Sequence, residues 1–275
     1  MNRFQISKRE KSTIACPKML GDYFIKENLF SAIISGICIS ALLFCSLLEA
    51  SAADTAFSEA TKSANVKQKY YFIDRFGNQT LTSLKGIGSS YPNLVLLHVS
   101  GSNITSLKEI DELPNLLELH IINEKLTSLE GIERVPNLQK LDLSNNLLTS
   151  LDGIEQLSEL QELNLSNNQV VELGRIKQLS NLQKLDLSNN LLTSLEGIEQ
   201  LSELQELNLS NNQVSFSELE KIKPLFNLQL VNIAGNAEIS QTRMLFFSLN
   251  LPDCTFIING KSYKNGKEIK EISQE

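Results

Sequence analysis

The chain has no tryptophan, only two histidines, and aromatic residues make up 6% of it. A core assembled from bulky aromatic side chains is thereby excluded. The apolar 41% rests mainly on leucine and isoleucine, the pattern expected when one small building unit is reused along a chain. Cysteine is scarce: Cys16, Cys38 and Cys45 fall near the N-terminus, and Cys254 stands alone beyond them. The rest of the chain therefore has no internal disulfide framework and must be held by its core. Basic clusters are missing after residue 30 and the formal charge is −7, which excludes a nucleic-acid surface, because displacing counterions from phosphates needs clustered Lys and Arg. A phosphate loop, a third histidine and a distinct domain with paired catalytic carboxylates are also missing, so nothing points to a cofactor or to catalysis.

Charge is missing in one further place. From Asn28 to Leu48 there is no charged residue, and this apolar run comes after Arg3, Lys8, Arg9, Lys11, Lys18 and Lys26. A positive flank before an apolar segment stays in the cytoplasm, so the chain beyond that segment is expected outside it. Ala50-Ser51-Ala52 has the small-x-small pattern of a signal-peptidase site, with Ala53 as the new start. The run also approaches the ~20 residues of a spanning helix, so an uncleaved anchor is the alternative to a cleaved signal peptide. Cys38 follows Ile37 and Cys45 follows Phe44, neither of which suits a lipid-anchored cysteine.

What is present is repetition. Shifted by 44 positions, Asn137–Val170 matches Asn181–Val214 everywhere except Asp152, which becomes Glu196. The underlying unit is 22 residues and begins at Leu94, Leu116, Leu138, Leu160, Leu182 and Leu204, with a seventh at Leu228 after a two-residue insertion. Within one unit Leu141 and Leu143 lie two apart, so on a strand they share a face while Asp142 points the other way. Leu148, Leu151, Ile154 and Leu157 then recur every three residues, which suits a 3₁₀ turn. Single units cannot bury their leucines, so they must stack, with parallel strands at ~4.8 Å and a seven-strand floor of ~29 Å.

Leu138, Leu141, Leu143, Asn146 and Leu148 spell L-x-x-L-x-L-x-x-N-x-L. This spacing resembles the leucine-rich-repeat family, over residues 94–239. The resemblance implies an α/β solenoid, a horseshoe with a concave parallel sheet and a thin convex side of 3₁₀ turns and loops. Asn146, Asn168, Asn190, Asn212 and Asn236 share one column and are expected to form a structural ladder bonding the backbone of neighbouring turns. Ser102 and Glu124 occupy that column in the first two units, so the N-terminal end is expected to be looser. The layout is then a signal peptide or anchor at 1–52, a linker at 53–65, an N-terminal cap at 66–93, seven repeats at 94–239, and a C-terminal cap and tail at 240–275. In the last part MLFFSLNL is expected to shield the final repeat, Asn259-Gly260 to turn a hairpin, and Asn265-Gly266 to precede a charged tail.

In this family the usual binding surface is the concave sheet. One column there runs Leu96, Glu118, Lys140, Glu162, Lys184, Glu206, Leu230, and its alternating charges are expected to neutralise one another across strands. The next runs His98, His120, Asp142, Asn164, Asp186, Asn208, Asn232. Stacked His98 and His120 beside Asp142 raise a metal site or a pH-sensitive contact, but two imidazoles and one carboxylate on a flat sheet do not converge as a zinc site requires. Ile122 and Leu96 are apolar on a face that should be polar. The candidate contacts for a protein partner are therefore Leu96, His98, Glu118, His120, Ile122, Asp142 and Asp186, with a cap folded over the N-terminal pair of units as the alternative.

Export and repeats together resemble bacterial internalin-like proteins that grip host or envelope proteins, so the expected role is an extracytoplasmic protein-binding module. A structural spacer of the cell envelope is the runner-up. LTSLEGIEQL also resembles the phosphatase-regulatory type of repeat, which is cytosolic or nuclear. The one catalytic precedent, a repeat-bearing ubiquitin ligase with a cysteine nucleophile, would leave the role to Cys254, and that family's large catalytic domain has no counterpart in the residues after the last repeat.

Overall fold

The computed structural model describes residues 70–74, 83–236 and 240–269. They belong to the second of two units into which the chain divides, residues 61–275. The segments expected to serve as signal peptide or anchor and as linker, with residues 66–69 and 75–82 of the expected N-terminal cap, lie outside the described residues. No described helix is long and apolar enough to cross a membrane.

One sheet of 11 strands, in sequence order, runs through the unit. It starts with β1 (Tyr70–Asp74), continues through β2 (Leu96–Ser100), β3 (Glu118–Ile122), β4 (Lys140–Asp142), β5 (Glu162–Asn164), β6 (Lys184–Asp186), β7 (Glu206–Asn208) and β8 (Leu230–Asn232), and ends with β9 (Thr255–Ile258), β10 (Lys261–Lys264) and β11 (Lys267–Ile269). Pairing is parallel from β1 to β9 and antiparallel for the last two strands. The register is fixed by the repeat: Leu119 lies beside Leu141, Leu141 beside Leu163 and Leu163 beside Leu185. A slip of one residue would turn these leucines to solvent.

The short α1 (Ile87–Ser90) occupies the turn between β1 and β2. Further along, opposite the strands, 3₁₀ turns lie at Ile132–Arg134, Ile154–Gln156, Ile176–Gln178, Ile198–Gln200 and Glu218–Ile222. Their three-residue spacing of leucine and isoleucine faces one continuous core of buried apolar side chains. Gly131 opens the first of these turns at φ 105, and a β-carbon there would lie 2.2 Å from the Leu107 carbonyl oxygen. The glycine is needed both for the backbone angle and for close approach of the preceding unit.

The ladder forms as expected and does more than the spacing indicated. Asn168 accepts the Leu148 N–H at 3.0 Å and donates to the carbonyls of Leu143 and Leu165 at 2.9 and 3.0 Å, so each amide binds its own turn to the one before. The residue just before the ladder adopts positive φ in every unit: Gly101, Asn123, Asn145, Asn167, Asn189, Asn211 and Gly235. Only Gly and Asn tolerate that conformation readily, which explains the recurring Ser-Asn-Asn. A second amide series lies at the other end of the strands, where the side chains of Asn137, Asn181 and Asn227 donate to the carbonyls of Pro114, Ser158 and Ser202 at 2.9, 2.9 and 2.8 Å.

In the second unit the ladder is kept without an asparagine. Glu124, only 6% exposed, replaces the ladder amide with a carboxylate that accepts the N–H groups of Ser102, Asn103 and Ile104 at 2.6, 2.6 and 2.7 Å. The longer side chain reaches three donors of the preceding turn, where an asparagine takes one.

At the other end α2 (Gln241–Ser248) covers the last unit. Met244 and Phe247 are buried, and Phe247 meets Phe216 and Phe256 edge-on, both at 5.6 Å between centroids. Asn259-Gly260 turns the hairpin between β9 and β10, with both residues at positive φ. Asn265-Gly266, expected only to precede a tail, turns a second hairpin into β11.

Candidate concave binding face

The concave side chains of the central strands satisfy one another. Lys140 pairs with Glu162 at 3.2 Å and Lys184 with Glu206 at 2.8 Å, so the first column is cross-linked by charge as its alternation predicts. Such half-exposed pairs add little stability, but they leave little unmatched charge to a partner.

In the second column Asp142 and Asp186 carry structural duties on both oxygens. Asp142 Oδ1 accepts the Ser144 N–H at 2.9 Å and its Oδ2 the Asn164 amide at 3.0 Å. Asp186 does the same with Ser188 and Asn208, at 2.8 and 3.0 Å. These Asx turns stop the strand and lead the chain into the positive-φ residue. The strands β4 to β8 are accordingly three residues long.

His98 and His120 replace the Asx residue in β2 and β3, and there the strand runs on to five residues, carrying Ser100 and Ile122 onto the face. The two imidazoles lie 5.7 Å apart, tilted by 33°. His120 Nε2 is 3.8 Å from Glu118 Oε2, and this contact, reinforced by nearby Lys140, holds the Glu118 carboxyl below its usual range despite partial burial. No group of three or more potential ligands converges among the described residues.

Leu96 corrects the expected set. It occupies the concave column opposite Glu118 but is 4% exposed, although it stands outside the continuous core. It is not available as a contact. The structure thus brings together His98, Glu118, His120 and Ile122, and sets Asp142 beside them at the register position next to His120. Asp186 lies two strands further along. Sequence reasoning overlooked Ile257, which continues the second column beyond Asn232 and lines the same groove. Its signal was the β-rich TFII, 25 residues after the last repeat strand and just before the Asn259-Gly260 turn.

Cys254 is fully buried, and burial pushes its thiol up to about 12. A thiol so held is neither accessible nor ionised near neutrality, which is the environment of a small apolar residue in a cap.

A family profile described as leucine rich repeats, in two copies, matches residues 136–178 and 180–225. Together with the 22-residue parallel solenoid, this settles the repeat type. Residues 136–178 and 180–225 are leucine-rich repeats. Similar solved structures include an internalin of Listeria monocytogenes, with a TM-score of 0.60 and 21% identity, covering 68% of this chain and 54% of that one. Internalin C2 of the same species has a TM-score of 0.58 and 26% identity, covering 66% of this chain and 78% of that one. A leucine-rich-repeat protein of Leptospira interrogans has a TM-score of 0.54 and 31% identity, covering 68% of this chain and 54% of that one. The chain thus spans about half the length of two of these proteins. No curated protein matches it in sequence.

Proposed function

We propose that this leucine-rich-repeat protein is an extracytoplasmic binding module that holds a protein partner on the N-terminal part of its concave face, without catalysis. The carrying observation is the contrast along the sheet. From β4 onward the face is satisfied internally by Lys–Glu pairs and Asx bonds, whereas β2 and β3 present His98, His120 and Ile122 on strands extended by two residues. Half-buried rings next to an apolar side chain and one carboxylate form the kind of mixed patch that protein interfaces use. The likeness to internalins and the apolar run at Asn28–Leu48 support the extracytoplasmic placement.

Fractionation of the producing cell with N-terminal sequencing tests the placement. A mature start at Ala53 in the periplasm or medium is the expected result, and an intact N-terminus in the membrane would make the protein an outward-facing anchored receptor. An intact soluble cytosolic protein would overturn the proposal and favour the phosphatase-regulatory reading. For the face itself, a photo-crosslinking residue at Ile122 should capture a partner that the same residue at Asn164 does not. A spacer role in the envelope is favoured by one observation, the near-identity of two 34-residue stretches 44 positions apart, Asn137–Val170 and Asn181–Val214, and predicts no difference between the two positions.

A further inference from the structure

The C-terminal cap carries a surface that the concave face does not use. While α2 turns Met244 and Phe247 inward, Phe246 stands 69% exposed, and Leu249, three residues on and therefore on the same side, 53%. Phe226, 79% exposed, takes the place that Ser158, Ser180 and Ser202 hold in earlier units. Lys223, from the same turn, reaches over the Phe247 ring at 5.5 Å, so this turn and α2 meet at one end of the solenoid. The Asn265-Gly266 turn lies against them as well. The Gly266 N–H donates to Ser248 Oγ at 2.8 Å, and a β-carbon at Gly266 would lie 2.7 Å from Leu249 Cδ2.

Basic residues lie close to these apolar tips along the chain. Lys264 and Lys267 flank the turn, and Arg243, whose guanidinium lies 5.5 Å over the Phe216 ring, is one helical turn before Phe246. Among the described residues none of these three forms an ion pair, whereas Lys221, Lys223 and Lys261 are matched by Glu218, Glu220 and Glu268. The charge is opposite to that of the repeats: residues 141–220 hold 13 acidic and 3 basic side chains, residues 240–269 hold 2 acidic and 4 basic.

We propose that this end of the molecule rests on an anionic bilayer, with Phe246, Leu249 and Phe226 entering the headgroup boundary and Arg243, Lys264 and Lys267 meeting lipid phosphates. Apolar side chains projecting among cations are the combination that holds a protein in a lipid interface. The best-formed cavities among the described residues lie elsewhere, along the concave face and between Glu172 and Glu199. The acidic repeats do not oppose contact at the tip. Charge is screened over ~8–10 Å, and strands recede from the tip at ~4.8 Å each.

The chain contains no tryptophan, so Phe246→Trp in the full chain is a single reporter placed at the cap. Its emission should shift to the blue and be quenched by brominated-tail lipids in vesicles of phosphatidylcholine with phosphatidylglycerol, and not in phosphatidylcholine alone. Adding Lys264→Gln and Lys267→Gln should weaken the response roughly thirtyfold, with the far-ultraviolet dichroism unchanged, and salt should reverse it. Leu249→Trp should report the same behaviour from the neighbouring position. An unquenched tryptophan on anionic vesicles, equal quenching in both vesicle types, or indifference to the lysine changes would overturn the proposal. A blue shift with soluble polyglutamate but not with vesicles would also overturn it and would identify an acidic protein surface.

Discussion

Glu124→Ala is the most informative single change, because it tests whether one carboxylate replaces the missing ladder asparagine. It would leave the Ser102, Asn103 and Ile104 N–H groups without their acceptor. The bonds at Ser102 and Ile104 are buried, while that at Asn103 is only part-buried and open to replacement by water. A buried donor left unpaired costs about 1–3 kcal/mol, so two of them make the variant less stable by about 2–6 kcal/mol. For a cooperative unit of this size, 1 kcal/mol moves Tm by roughly 2–4 °C, which gives a fall of at least about 4 °C. Because repeats couple only to their neighbours, the N-terminal units should melt first, as a separate early step. Hydrogen exchange decides between loss of the acceptor and a general effect: the amides of Ser102 and Ile104 should lose protection, while that of Leu192, which donates to Asn212, should keep it. Glu124→Gln should fall between wild type and alanine, since its amide keeps one acceptor but turns an N–H toward other N–H donors. An unchanged melting curve with protected Ser102 and Ile104 amides in Glu124→Ala would refute the reasoning.

Among the described residues the buried Tyr263 hydroxyl has no hydrogen-bond partner, so Tyr263→Phe should leave chemical-denaturation stability unchanged or raise it, by up to about 3 kcal/mol; a marked loss would mean that the hydroxyl is satisfied. The Glu118 carboxyl is held low by His120 and then Lys140, so it contributes stability that is present above its unfolded pKa and lost as pH falls through its lower folded value. Glu118→Gln should therefore flatten the acid limb of the stability–pH curve below about pH 4.5, and an acid limb identical to wild type would exclude the contribution. Cys254, in a chain whose other three cysteines are replaced by serine, should react with a thiol reagent only at the rate of unfolding, since it is fully buried with its thiol raised to about 12. Fast labelling of the native state would contradict that burial.

The repeat register was legible because strand and turn each impose a period on the same leucines, and seven copies of the pattern agree. The caps were legible where a turn has a strict sequence demand, as at Asn259-Gly260, and partly missed at Asn265-Gly266, where the following strand Lys267–Ile269 is short and charged. Glu124 was misjudged because the ladder was read as a residue type. What the position requires is an acceptor that reaches the N–H groups of the preceding turn, and a longer side chain meets that need from the same column. Leu96 was misjudged for the converse reason: strand alternation assigns a residue to a face, but burial depends on what lies over that face, which spacing within a unit does not encode. The Asx duties of Asp142 and Asp186 were similarly hidden, since an aspartate bonding its own turn and one offered to a partner look alike in sequence.

The duplication permits a last prediction about how the solenoid separates its two ends. Deleting residues 147–190 joins Asn146 to Leu191, and because Asn137–Val170 repeats as Asn181–Val214 apart from Asp152, the junction recreates native sequence on both sides. Strands β5 and β6 are lost, and β4 comes to lie beside β7. Lys140 then faces Glu206 as it faced Glu162, and Asp142 faces Asn208 as it faced Asn164. On the convex side the turn in which Arg175 stands in place of the usual glycine is removed with its unit. Each remaining interface between units therefore has a native counterpart, and the shortened chain should fold, less stable by two units and their neighbour terms and shorter by ~9.6 Å along the sheet. A molten product would show that units are coupled beyond their neighbours. If it folds, a partner held by His98, His120 and Ile122 should bind with unchanged affinity, because every residue it touches lies before the cut. A spacer would fail in the same variant, since its function is the length that has been removed.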